Sequence, residues 1–138
     1  MEVLSLLYTN SNVNDCEVAK ELCANIKCRV TNVRADGAYD TEEFRRIIYE
    51  SGAQDLIPPA RTSKAQDELK KHPKIMKEHL RERDKMIKEI RSSESFDGGL
   101  KNWKISIGYH QRSKIKSFMF RFKRTFGFNS QQKLIEVE

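Results

Sequence analysis

Residues 108–127, GYHQRSKIKSFMFRFKRTFG, constrain this chain more than any other stretch. Ile115, Phe118, Met119, Phe122 and Phe126 recur at i, i+3, i+4, i+7 and i+11, the spacing of a single helix face. The pattern predicts a helix that turns these five side chains into a core. At about 100° per residue, Tyr109, Arg112, Lys116 and Lys123 share a second face, within roughly 60° of one another. Charges on an amphipathic helix ordinarily form a solvated face, and that reading stands beside a functional one.

The spacing on the second face carries a resemblance. Tyr109, two residues, Arg112, three residues, position 116, six residues and Lys123 resemble the Tyr-Arg-Glu-Lys signature of bacterial insertion-sequence transposases. These belong to the DDE class, and the chain is similar to the insertion-sequence four/five superfamily. Ala35-Asp36-Gly37-Ala38-Tyr39-Asp40 resembles the strand-end motif carrying that family's second catalytic Asp. Ile57-Pro58-Pro59 is similar to its IPPR segment, although Ala60 intervenes before Arg61. Arg83-Asp84 with Ile87 and Ile90 resembles the helix before the signature, and Trp103 with Gly108-Tyr109-His110 resembles its lead-in. The blocks run in the family's order over nearly the whole chain.

With 138 residues the chain supports one domain and a modest core. The family's catalytic domain is longer, so a truncated domain is the expectation. Its parts are a strand and helix core over 1–60, a charged helical insert and loop over 61–99, a signature helix over 100–128 and a tail over 129–138. No run approaches the ~20 apolar residues of a membrane span, and Met1–Tyr8 lacks the basic start of a signal peptide. A cytoplasmic, nucleoid-associated protein is therefore expected.

Charge is unevenly placed. The net charge is +6, yet residues 1–97 hold 17 Lys/Arg against 18 Asp/Glu. Residues 98–138 hold 9 against 2, and both acids lie in the last three positions. A basic terminal segment is the electrostatic footprint of a polyanion, with nucleic acid the first choice. Cys16, Cys23 and Cys28 lack zinc-ligand spacing with His72, His79 or His110, so reduced thiols are expected.

Along the chain, Val3–Tyr8 reads as a buried strand. Asp15 starts a helix with Val18, Ala19, Leu22, Cys23 and Ile26 inside. Arg29–Ala35 is a strand that delivers Asp36 to its end. Asp40-Thr41-Glu42-Glu43 is a capping-box pattern with Asp40 as the cap, opening a helix that buries Phe44, Ile47 and Ile48 and ends at Gly52. Gln54–Ile57 is a third strand, stopped by Pro58-Pro59. Pro73 interrupts the insert, and Met76, Leu80, Ile87 and Ile90, broken by Arg83, predict a long helix with one narrow buried face. Ser92–Gly99 reads as a mobile loop. The alternation argues for an α/β layer with parallel pairing.

The resemblance implies a partial ribonuclease H-like fold with a mixed sheet lacking its N-terminal strands. In the family two Asp and one Glu hold two divalent cations, normally Mg²⁺, for cleavage and strand transfer on DNA. Carried over, Asp36 matches the second Asp and is the residual metal ligand; Tyr109 and Arg112 match the Tyr and Arg; Lys123 matches the DNA-contacting Lys. Lys116 occupies the Glu position. A unit charge about 4 Å from a divalent ion is worth about 8 kcal/mol at an effective dielectric near 20, and this substitution reverses its sign. No acidic residue lies between Gly98 and Ile135 to replace it, and only 35 residues precede Asp36, too few for the family's first Asp.

The expectation is a degenerate, catalytically inactive transposase that binds no metal, with Lys116 able to pair with Asp36. Lys101, Lys104, Lys114, Arg121, Lys123 and Arg124 are the candidate DNA contacts. The expected partners are DNA, transposon ends in the family, and an intact transposase or a split upstream fragment. A DNA-binding inhibitor of transposition and a small RNA-associated protein are the competing readings. Against the last, the aromatics fall at core spacing.

Overall fold

Two short strands set the frame of the computed structural model, which describes residues 12–13, 15–71, 75–127 and 136–137. β1 (Asn32–Arg34) and β2 (Gln54–Asp55) pair in parallel, Asn32 opposite Gln54 and Val33 opposite Asp55. The ladder extends at both ends, Gln54 N–H donating to the Thr31 carbonyl at 2.8 Å and Leu56 N–H to that of Val33 at 3.0 Å. β3 (Glu136–Val137) lies antiparallel on the other edge of β1, giving the order β2-β1-β3. The architecture is mixed α/β and mostly helical. The strand expected at Val3–Tyr8 lies outside the described residues, as does Pro73.

Parallel strands need a crossover, and α2 (Glu42–Ser51) supplies it. Phe44 and Ile48 are buried and Ile47 is half-buried, as the periodicity requires. Gly52 ends the helix at φ 73°, a left-handed position that glycine adopts freely. α1 (Asp15–Ala24) buries Val18, Ala19 and Leu22. Ala19, Val33, Ala35, Tyr39, Phe44, Ile48 and Ile57 form one core, with Cys23 packed at its border. Burial pushes the Cys23 thiol above its ordinary pKa, so it stays protonated and unreactive.

A second core joins α3 (Arg81–Arg91) to α4 (Phe96–Ser106) through Met86, Ile90 and Trp103. Gly99 makes the crossing possible: a Cβ there would stand 2.0 Å from the Ile90 carbonyl oxygen. The Ser92–Gly99 segment is therefore a corner and a helix start, contrary to the loop expected. Ser95 caps α4 by accepting the Gly98 N–H at 3.1 Å, and the two glycines that suggested a break lie inside the first turn.

The long insert helix is also corrected. α3 covers only 81–91, and Met76 is half exposed. The described parts of this stretch, 60–71 and 75–80, instead run irregularly, with 3-10 turns at Gln66–Glu68 and Glu78–Leu80. Buried Gln66 organises the segment: its side chain exchanges hydrogen bonds with the Lys77 backbone (2.8 and 3.1 Å) and donates to Asp84 (2.8 Å). These ties satisfy polar groups that a helix would have paired internally. Among the described residues no helix is long and apolar enough to cross a membrane.

Candidate functional site

Asp36 follows Ala35, the buried residue just past the end of β1. A 3-10 turn, Gly37–Tyr39, follows, closed by Tyr39 N–H on the Asp36 carbonyl (2.9 Å), and it directs the chain away from the sheet. Parallel pairing thus leaves the Asp36 carboxylate at the strand's C-terminal end, with its side chain 58% exposed.

The partner of this strand end comes from more than 70 residues away. Gly108, at φ 66°, stops α4 and turns the chain into a 3-10 turn, Tyr109–Arg112, which continues as α5 (Ser113–Phe126). Only glycine enters that left-handed corner without strain. The Tyr109 hydroxyl donates to the Ala35 carbonyl at 2.9 Å, and Arg112 Nη2 donates to Asp36 Oδ2 at 3.2 Å. The Tyr109 ring lies beside Trp103 (6.4 Å), with Lys104 Nζ 5.1 Å and the Arg112 guanidinium 6.0 Å from its centroid. Burial pushes the phenol up; the Arg112 charge opposes this and the Asp36 charge adds to it. Tyr109 is then a neutral strut at working pH, joining the α4–α5 corner to β1.

The four residues matched to the signature do not all converge. Asp36, Tyr109 and Arg112 meet. Lys116 is exposed one helical turn beyond Arg112, a separation of about 5–6 Å between Cβ atoms on a helix surface. Arg112, and not Lys116, holds the ion pair to Asp36, because it leaves the turn directly against the strand end. Lys123 lies two further turns along.

The apolar stripe is corrected in part. Met119 is buried, Ile115, Phe118 and Phe122 are half-buried, and Phe126 is 62% exposed. Among the described elements α5 packs mainly on the turn before it. The rings cover one another instead, Phe118 against Phe122 at 5.9 Å and Phe122 against Phe126 at 4.8 Å. Lys101, Lys114, Arg121 and Arg124 are exposed and Lys104 and Lys123 are half-exposed. Among the described residues no carboxylate forms an ion pair with any of these six or with Lys116. Beside Tyr109, a groove of about 400 Å³ runs between Asp97, Leu100, Lys101, Lys104, Ile105 and His110.

A model of the transposase DDE domain matches residues 1–134. The chain belongs to the transposase DDE domain family. No curated protein and no solved structure matches it.

Two-metal chemistry is what such a family implies, so the donor set of this transposase-family chain decides whether the ions fit. Among the described residues no group of three or more His, Cys, Asp or Glu side chains gathers where a metal ion could sit. The Asp36 carboxylate is paired with Arg112. Two divalent ions need several clustered carboxylates, and these residues do not provide them.

The sequence reading missed one cluster in this transposase-family fold. Arg45 is fully buried on α2, donating to Asp40 (2.9 Å), to Asp55 (2.6 Å) and to the Ile57 carbonyl (3.0 Å). Arg83 reaches the same Asp40 at 2.8 Å. Asp40 is therefore not the helix cap; Thr41 is, accepting the Phe44 N–H at 3.3 Å, and Glu43 turns outward to Lys20. The available signals were Arg45 on an apolar face beside Phe44 and Ile48, and Arg83 interrupting an apolar pattern.

Proposed function

We propose that this transposase-family chain is a degenerate member of the insertion-sequence four/five superfamily that binds DNA and does not cut it. In this reading the fold is a partial ribonuclease H-like one. One observation carries the reading: the strand-end carboxylate is paired to Arg112 while a lysine stands where the family's Glu belongs. An arginine-paired aspartate without companion carboxylates among the described residues cannot gather two cations.

What remains usable is positive charge. Lys101 and Lys104 on α4 and Lys114, Arg121, Lys123 and Arg124 on α5, none in an ion pair among the described residues, are suited to the phosphate backbone and indifferent to base sequence. Duplex DNA retention at two salt concentrations tests this. Four to six phosphate contacts predict a loss of affinity of about 10²–10³-fold between 50 and 200 mM salt. No retention at the lower salt overturns the reading.

Single-stranded RNA is the second reading, and one observation favours it. Phe120 and Phe126 are 67% and 62% exposed, whereas core spacing had argued against a stacking surface. Tighter retention of a single strand than of duplex DNA selects it.

A further inference from the structure

We propose that the outer side of α5 holds an unpaired nucleobase, stacked on Phe120, with Lys116 and Arg121 against the adjoining phosphates. The inference rests on the nucleic-acid reading above and specifies what the chain grips in a bound strand, a base released from pairing as well as the backbone.

The phenylalanines of α5 divide into two groups. Phe118, Phe122 and Phe126 follow a four-residue repeat along one side and cover one another, at 5.9 and 4.8 Å between centroids. Phe120 lies about 200° round the helix from Phe118, on the opposite side. It is 67% exposed, and among the described residues no ring or cation packs on it. Its ring lines an open groove of about 500 Å³ together with Lys116, Ser117 and Arg121. Spacing i, i+1, i+4, i+5 puts all of them on one side of the helix, with Lys116 one turn before the ring and Arg121 next to it. Both cations are exposed and neither is in an ion pair among the described residues, and the sequence of α5 contains no acid.

These properties together match one ligand. An exposed aromatic ring offers a face on which any base can stack, so the contact tolerates sequence. Cations at its margins meet the phosphates that adjoin the base, and the Ser117 hydroxyl can donate to or accept from the base edge. A base inside a duplex has both faces covered by its neighbours, and only one freed from the stack can use the ring. A contact to the backbone alone would leave Phe120 facing water.

The test measures retention of nucleic-acid probes by the full chain at low salt. The probes are a paired DNA duplex, the same duplex with a one-base bulge, the same bulge made abasic, and one strand of the duplex as RNA. Each is measured with the unaltered chain and with Phe120→Ala, an exposed position outside both cores. The bulged duplex should bind about 5- to 150-fold tighter than the paired one, the range of one base–aromatic stack. That margin should vanish with the abasic bulge and in Phe120→Ala, while retention of the paired duplex stays the same in both chains. If the RNA strand gains the margin and loses it in Phe120→Ala, the proposal stands with RNA as the source of the base. Equal retention of paired and unpaired probes, or a preference that survives Phe120→Ala, overturns the proposal and leaves the nucleic-acid reading in place. Retention of no probe overturns both.

Discussion

Asp36 and Asp40 are four residues apart in one sequence block and live in opposite circumstances. Asp40 is 5% exposed and receives hydrogen bonds from Arg45, Arg83, the Ser63 hydroxyl and the Ala60 N–H. The Asp36 side chain is 58% exposed and, among the described residues, its carboxylate accepts one hydrogen bond, from Arg112 at 3.2 Å. A buried carboxylate must be fully matched, because desolvation otherwise costs more than folding can supply. An exposed one can keep part of its surroundings for a ligand. The first aspartate therefore belongs to the site and the second to the fold, although the sequence block makes them look like equals.

The largest expected effect breaks the comparison on the Asp40 side. Arg45→Ala removes the guanidinium shared by Asp40 and Asp55 and leaves two buried carboxylates short of a partner. Loss of about 3–5 kcal/mol in urea-induced unfolding is expected. Asp36→Ala should shift the same curve by at most about 0.5 kcal/mol. Equal losses at the two positions would erase the distinction.

Acid titration sharpens it. Burial alone would raise the Asp40 carboxyl, but the hydrogen bond and charge of Arg83, the Arg45 charge and the Ala60 N–H outweigh it and hold the pKa at about 2, against an ordinary 3.8. With the folded value below the unfolded one, the stabilisation is complete above about pH 4 and disappears as pH falls toward 2, roughly 2 kcal/mol in all. Asp55 runs the other way, since burial raises its carboxyl against the opposing Arg45 charge, and it takes up a proton at less cost to the fold. Stability measured from pH 5 to 2 should fall in the unaltered chain and fall less in Asp40→Asn, which starts from a lower value.

The smallest effect concerns the strut beneath Asp36. Tyr109→Phe deletes one half-buried hydrogen bond, to the Ala35 carbonyl, and should cost about 0.5–1.5 kcal/mol by thermal unfolding. A change below that range would mean that the α4–α5 corner is held by the ring packing on Trp103 and Lys104 and by the Arg112–Asp36 pair.

How much of this was legible depends on the range of the interaction. The α1 face, the Phe44–Ile48 face of α2, the Gly52 stop and the parallel pairing of β1 with β2 follow from periodicity, caps and interval lengths, all local signals. The meeting of Asp36 with Tyr109 and Arg112 spans more than 70 residues, and no local pattern contains it; the spacing of a family signature did. The misreadings share one cause. Gly98-Gly99 resembles a loop until α3 is known to cross there, and the α5 stripe resembles a core face although only Met119 of it is buried. Arg45 looks solvated until two aspartates from other elements close over it. Each depends on a partner that the local sequence does not name.

The most direct test of the central claim is a supercoiled plasmid incubated with the purified chain and Mn²⁺ at low salt, scored in one gel for both retention and nicking. The account predicts a retarded plasmid that stays supercoiled, in the unaltered chain and in Asp36→Ala alike. Nicked product that appears with the unaltered chain and vanishes in Asp36→Ala would contradict it.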